Sequence, residues 1–373
     1  MNYYQHSIDV IVKNQYGSGA YIASPNFPEY HYCWLRDGSF IAYSMDLAGQ
    51  HESALSFFRW VDRVIDKYAH KVTELEEQLK MSPGVEGKSF LHTRYSLDGN
   101  EEATDSTWGN FQIDGYGTWL WALAEHIELT GNKDLLNEFS HSIETTLRYL
   151  LASWHLPNYD CWEEHPDYLH PYSLAAVCGG LQAIEPMLTS SQQILVHAGV
   201  AEIKAFLTRY GIFEDKFVKH IWPADVGQTP RPLTTIGVDA SLLGLALPYA
   251  VFPLDHPVLK NTVAAIEREL HRPQGGVYRY KGDVYYGGGE WLLLSAWLGW
   301  YYARTGRRTE AEELLRWLEA SADENGDMPE QVHDHLLAPK HYSAWVNKWG
   351  PIATPLLWSH AMYIILYTAL QWE

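Results

Sequence analysis

The chain has 373 residues, room for one large domain or two ordinary ones, and is rich in Trp (16) and Tyr (25). Its formal net charge of −19 argues against a nucleic-acid partner, whose phosphates need a basic surface, and against an anionic membrane. A neutral small molecule such as a sugar suits both the charge and the aromatics, whose flat apolar faces carry a polar edge.

The N-terminal stretch MNYYQHSIDVIVKNQYG lacks the basic start and apolar run of a secretion signal. No uncharged stretch is long enough to span a bilayer. Cys33, Cys161 and Cys178 are an odd number without zinc spacing, so neither a disulfide framework nor a metal site is expected. A cytoplasmic location follows, with no cofactor called for and the oligomeric state left open.

Along the chain, helical signals dominate. WLRDGSFIAYSMDLAG, GYGTWLWALAEHIELTG and EWLLLSAWLGWYYARTG are too continuously apolar for one-sided surface helices. They end in Gly49, Gly131 and Gly306, the usual residue of a helix C-cap. Each is followed by a more amphipathic stretch: HESALSFFRWVDRVI, NKDLLNEFSHSIETTLRYL and RRTEAEELLRWLEAS. In the last, Ala311, Leu314, Leu315 and Leu318 form a helical stripe. A buried helix, a Gly turn and a half-exposed helix, repeated, predict an inner and an outer layer. At roughly 30 residues per helix and loop, about a dozen helices fit. The predicted fold is therefore all-α, an (α/α)6 double-layered helical barrel; the competing solenoid lacks a fixed short period. With no Ser/Gly/Pro-rich or single-charge linker, one domain over residues 1–373 is expected. Function belongs in the loops ahead of the buried helices.

Five such loops concentrate polar and aromatic residues: YHYCWLRD (30–37), TWGNFQIDG (107–115), YDCWEEH (159–165), VYRYKGDVYYGGGEW (277–291) and GDMPEQ (326–331). Cleaving a glycosidic bond takes two carboxyl groups on opposite sides of it. One must stay protonated near neutral pH, which burial against apolar rings achieves. Glu163, after Trp162, suits that role; Glu330, in a polar loop after Pro329, suits the ionised partner that holds a water. Each loop also has a plainer reading. Arg36 and Asp37 read as a surface ion pair. WEE reads as an acidic helix start, and PEQ as a helix start with Pro in its first turn. GGG at 287–289 lacks the Lys-Ser or Lys-Thr of a phosphate loop. EEHPD lacks the second histidine of a zinc HExxH site.

Taken in order, the five stretches resemble glycoside hydrolase family 15, the glucoamylases and their relatives, over nearly the whole chain. The resemblance implies an (α/α)6 barrel and hydrolysis of α-glucosides from the non-reducing end with inversion, releasing β-glucose. YHYCWLRD implies that Arg36 and Asp37 grip the terminal glucose, that Trp34 lines its pocket and that Tyr30 lies near the base. WGNFQIDG places Trp108 against the substrate, with Asn110 where fungal-type members have Arg. WEE implies Glu163 as general acid, with Glu164 binding sugar hydroxyls. In VYRYKGDVYYGGGEW, Arg279 contacts sugar and Trp291 closes the motif; PEQ implies Glu330 as general base. No β-sandwich domain is expected ahead of the barrel and no starch-binding module after it. That points to short isomalto- or malto-oligosaccharides as substrate, rather than starch granules. The alternatives are a non-catalytic glucan-binding or regulatory domain, known on this fold, and a sugar epimerase. The epimerase would rely on a histidine pair that the sugar-gripping motifs lack.

Overall fold

From Leu292 to Tyr302 every residue is buried, which a helix achieves only when other elements surround it on all sides. The computed structural model describes residues 1–82, 84–102, 108–224, 229–235 and 237–371, and in it outer and inner helices alternate along the chain. Outer α1 (Tyr3–Lys13) precedes inner α2 (Leu35–Leu47), and outer α3 (His51–Met81) precedes inner α4 (Asp114–Thr130). A short α5 (Leu135–Glu138) leads into outer α6 (Ser140–Ser153), then inner α7 (Pro171–Ile184) and outer α8 (Ser190–Tyr210). Outer α9 (Pro257–Leu270) precedes inner α10 (Leu292–Arg304). Outer α11 (Arg308–Ser321) is separated from inner α13 (Leu357–Gln371) by α12 (Tyr342–Trp349).

The fourth inner position, between α8 and α9, is a 3₁₀ segment, Ala240–Leu245. Gly244 packs against the Tyr172 ring there, and Pro248, with no N–H to donate, ends any longer helix. Inner elements pack in sequence: α2 on α4, α4 on α7, α7 on the 3₁₀ segment, that on α10, α10 on α13, and α13 back on α2. The ring closes, giving the (α/α)6 barrel expected from the alternation. The outer helices bury one stripe each: α8 buries Val196, Gly199, Val200, Ile203 and Leu207, a 3–4 residue spacing that faces the core.

Gly131 caps α4 with φ +68, and Gly49 and Gly306 turn the chain with φ +73 and +79. The stretch after Gly131 is not one helix. Phe139 leaves helical geometry (φ −101, ψ 17) and buries its ring, dividing α5 from α6. Glycine matters most where α4 crosses α7. A Cβ on Gly180 would stand 2.1 Å from the Gly117 carbonyl oxygen, so the two backbones touch there. The three cysteines are free and buried. No described helix is long and apolar enough to cross a membrane.

The barrel interior is filled with rings. Phe40 packs on Trp297 and Trp358 with centroids 5.2 and 5.3 Å apart. Above this layer the connections into the inner helices gather at one end. Two short antiparallel pairs stiffen them: Tyr32–Trp34 with Arg94–Ser96, and Glu290–Trp291 with Gln331–Val332.

Candidate active site

The first connection ends in Trp34, the N-cap residue of α2, so Arg36 and Asp37 occupy that helix's first turn. Both are buried rather than a surface pair. The guanidinium is fixed on two sides: Nη1 donates to Gln112 Oε1 (3.0 Å) and Asp114 Oδ2 (3.1 Å), and Nε lies 3.3 Å from Asp37 Oδ2. Burial raises the Asp37 carboxyl to about 6, against the pull of Arg36. Trp108 of the second connection stacks its ring under the Arg94 guanidinium, 3.7 Å from the centroid, and meets the Trp34 ring at 6.2 Å. Thr107, at the start of that stretch, lies outside the described residues.

WEE is a turn, not a helix start. Asp160 Oδ1 accepts the amides of Trp162 (3.0 Å) and Glu164 (2.9 Å), and the Asp160 carbonyl accepts that of Glu163 (2.9 Å). The turn puts Glu163 at φ +65, the left-handed region that costs a non-glycine residue about 1–3 kcal/mol and that clusters at functional sites. The two glutamates therefore diverge. Glu163 accepts a hydrogen bond from Trp34 Nε1, whereas Glu164 accepts from Tyr280 Oη (2.5 Å) and Arg279 Nη2 (3.5 Å). Burial raises the Glu163 carboxyl above its ordinary range, against the opposing pull of Arg36 and the Trp34 bond.

Arg279 is held by Asp283 (Nε to Oδ2, 2.7 Å) beneath the Trp162 and Trp291 rings, which lie 5.4 Å apart. Glu330 lines the same cavity. PEQ is no helix start either: Glu330 N donates to Ala353 O (2.9 Å), and the chain continues as a strand beside Glu290–Trp291. The polar loop expected around Glu330 is a buried setting instead. The residue is 3% exposed, and burial raises its carboxyl to about 7. Tyr30 opposes that rise by donating to Oε1 (2.9 Å). Since Tyr30 spends its proton there, it accepts the 2.9 Å bond from Tyr285. Glu330 Oε2 has no hydrogen-bond partner among the described residues.

All ten expected site residues line one cavity of about 550 Å³: Tyr30, Trp34, Arg36, Asp37, Trp108, Glu163, Glu164, Arg279, Trp291 and Glu330. That volume falls within the range for small-molecule sites. The cavity also includes residues the motifs did not indicate. Trp345, Lys348 and Trp349 of α12 form part of its wall. The Tyr342, Trp345, Trp349 spacing of three and four was the available signal for an aromatic helix face. Behind the WEE turn lie Lys219 and Asp239, for which no local pattern exists.

The same region holds the one described group that could bind a metal ion by composition, Asp160, His170 and His220, whose donor atoms lie within 4.8 Å of one another. Hydrogen bonding already accounts for the histidines. His170 Nε2 must donate to the Asn158 carbonyl (2.7 Å), so its Nδ1 accepts from His220 Nδ1 at 2.8 Å. Burial keeps both rings neutral, lowering His170 to about 3. Lys219 already brings a positive charge to within 3.9 Å of Asp160. These residues therefore fit a hydrogen-bonded pair and a lysine better than a bound cation.

A closed double ring of helices with Glu163 and Glu330 lining one aromatic cavity defines an (α/α)6 glycoside hydrolase. Residues 1–348 match the model of glycosyl hydrolases family 15. An isomaltose glucohydrolase from Kribbella flavida is 38% identical over 371 residues, covering 97% of this chain and 91% of that protein. An uncharacterized glycosyl hydrolase from Methanocaldococcus jannaschii is 28% identical; the match covers 93% of this chain but 52% of that protein. Among solved structures, a wild-type glycosidase superposes with a TM-score of 0.91 at 38% identity, covering 99% of this chain and 96% of that one. A bacterial glucoamylase complexed with acarbose shares the fold, with a TM-score of 0.72 at 19% identity over 99% of this chain and 55% of that one. The chain belongs to glycosyl hydrolase family 15.

Proposed function

We propose that the protein is an inverting, exo-acting α-glucoside hydrolase that releases β-glucose from short isomalto-oligosaccharides. The observation that carries this reading is the meeting of Glu163, Glu330 and the buried Arg36–Asp37 pair in one aromatic cavity. Arg36 and Asp37 grip the hydroxyls of the terminal glucose above the packed ring layer, and Glu164 and Arg279 hold it from the side. Because rings fill the barrel beneath, the chain end enters and the rest of the substrate stays outside. Glu163 protonates the glycosidic oxygen as the bond breaks. Glu330 takes a proton from water on the opposite face, its Oε1 oriented by Tyr30. Inversion of this kind places the two carboxyls about 6.5–9.5 Å apart. The leaving sugar lies against Trp345 and Trp349 of α12.

The Kribbella flavida relative is an isomaltose glucohydrolase, which favours the α-1,6 linkage. Glucose release from isomaltose, maltose and trehalose under one set of conditions tests this. Isomaltose is expected to have the largest kcat/KM, and no glucose from any of the three would remove the hydrolase reading.

The pH profile has a defined sign. Glu330 acts when deprotonated, so kcat/KM falls as pH drops through the region of its raised pKa, about 7. The Tyr30 hydrogen bond favours the charged carboxylate and lowers that pKa. Tyr30→Phe therefore moves the acidic limb to higher pH. An unmoved limb would separate Tyr30 from Glu330 in the mechanism.

A further inference from the structure

Glu163 keeps an unfavourable backbone conformation on an irregular turn, so something outside the turn must hold it. We propose that Lys219 is the positioning residue of that turn: its ammonium group, buried between Asp160 and Asp239, fixes the anchors on both sides of Glu163. This rests on the reading of Glu163 as the general acid.

Lys219 is 4% exposed, and a buried ammonium persists only where its charge is countered; here ion pairs and a ring counter it, with no aligned hydrogen bond among the described residues. Its Nζ lies 3.0 Å from Asp239 Oδ2, 3.9 Å from Asp160 Oδ2 and 3.1 Å from the centroid of the Tyr280 ring. Each of these neighbours holds the turn. Asp239 accepts the indole N–H of Trp162 (3.0 Å), and Asp160 accepts the amides of Trp162 and Glu164. Tyr280 donates to the Glu164 carboxylate. The residues before and after Glu163 are thus tied to groups that all face one cation. Lys219 itself is absent from the cavity lining, so it acts through these neighbours and not on the sugar.

Without the lysine, Asp160 and Asp239 would share a dry site as like charges, and one would take up a proton. A protonated carboxyl is a poorer acceptor, its hold on the turn weakens, and Glu163 can leave φ +65 for an ordinary conformation. A displacement of about 1 Å at a reacting group costs on the order of 10²-fold in rate.

The test is steady-state kinetics of Lys219→Met on isomaltose and on α-glucosyl fluoride, whose leaving group needs little protonation, beside Glu163→Gln. Expected for Lys219→Met is a fall of about 10²-fold in kcat on isomaltose, with KM little changed and a much smaller loss on the fluoride. A lysine that merely filled space would not produce that selectivity. A folded Lys219→Met with wild-type kcat on isomaltose, or with equal losses on both substrates, would overturn the proposal. If circular dichroism shows that Lys219→Met does not fold, the isosteric Asp239→Asn decides, with the same selective loss expected and an equal or absent loss against it. Glu163→Gln separates the acid role from the positioning role. Equal losses on both substrates in that variant sink the acid reading itself; a selective loss there without one in Lys219→Met sinks only the positioning role.

Discussion

Glu163→Gln should lose about 10²–10⁴ in kcat on isomaltose, the usual contribution of a general acid, while still binding the sugar. Glutamine keeps the shape, and its amide oxygen can still accept from Trp34 Nε1. What it lacks is a proton to give. Burial raises the pKa of the native carboxyl and so favours its protonated form, and a leaving alkoxide cannot depart at neutral pH without that proton. Fluoride departs as a weakly basic anion, so α-glucosyl fluoride should be turned over by the same variant at a rate much closer to wild type. The ratio of the two losses is the informative quantity. If both substrates lose equally, Glu163 is not the acid, and the turn that aims it serves sugar binding instead.

Glu330→Ala should be as severe, at about 10²–10⁴, but with the opposite chemical signature. The acid remains, so the bond can still be protonated, and the missing element is a deprotonated nucleophile on the far face. Tyr30 and Tyr285 stay linked to each other, but a phenol is too weak a base at neutral pH to take the place of the carboxylate. Azide is already an anion and fits the space the truncation opens. Added azide should restore part of the rate and yield β-glucosyl azide, because it attacks from the side Glu330 faced. An azide product of α configuration would put the vacated space on the wrong face and remove Glu330 from the base role.

The barrel was legible because burial on all sides leaves a continuous apolar signature, as in Leu292–Tyr302, and one-sided burial leaves a stripe. The fourth inner element left no such trace, since Gly244 and Pro248 interrupt it where a long apolar helix would otherwise run. The ten expected cavity residues were legible because each lies in a compact motif in a connection leading to an inner helix. Their environments were less so. Glu330 has Gly326 and Asp327 near it in sequence, but its neighbours in space are Tyr30, Tyr285 and the strand Glu290–Trp291. A polar loop in the sequence is therefore a buried wall of the cavity in the fold. Asp160 comes from the connection before α7, and Lys219 and Asp239 stand twenty residues apart in the connection after α8, so no short window of sequence contains their relationship. The carboxylate that shapes the WEE turn, Asp160, lies two residues before Trp162 and was readable only once the turn itself was known.

Inversion joins the acid, the base and the single cavity into one statement, and the anomer formed first tests it most directly. The substrate of choice is methyl α-isomaltoside, whose leaving sugar has no free anomeric centre, so the only hemiacetal signals that appear belong to the released glucose. Proton NMR of a fresh digest, recorded before mutarotation, resolves its α and β forms. If Glu330 activates a water on the face opposite the Glu163-protonated oxygen, the β-glucose signal rises first and the α signal follows only at the rate of mutarotation. An initial rise of α-glucose would mean attack from the same face as the departing sugar, and that result would contradict the roles of both carboxyl groups.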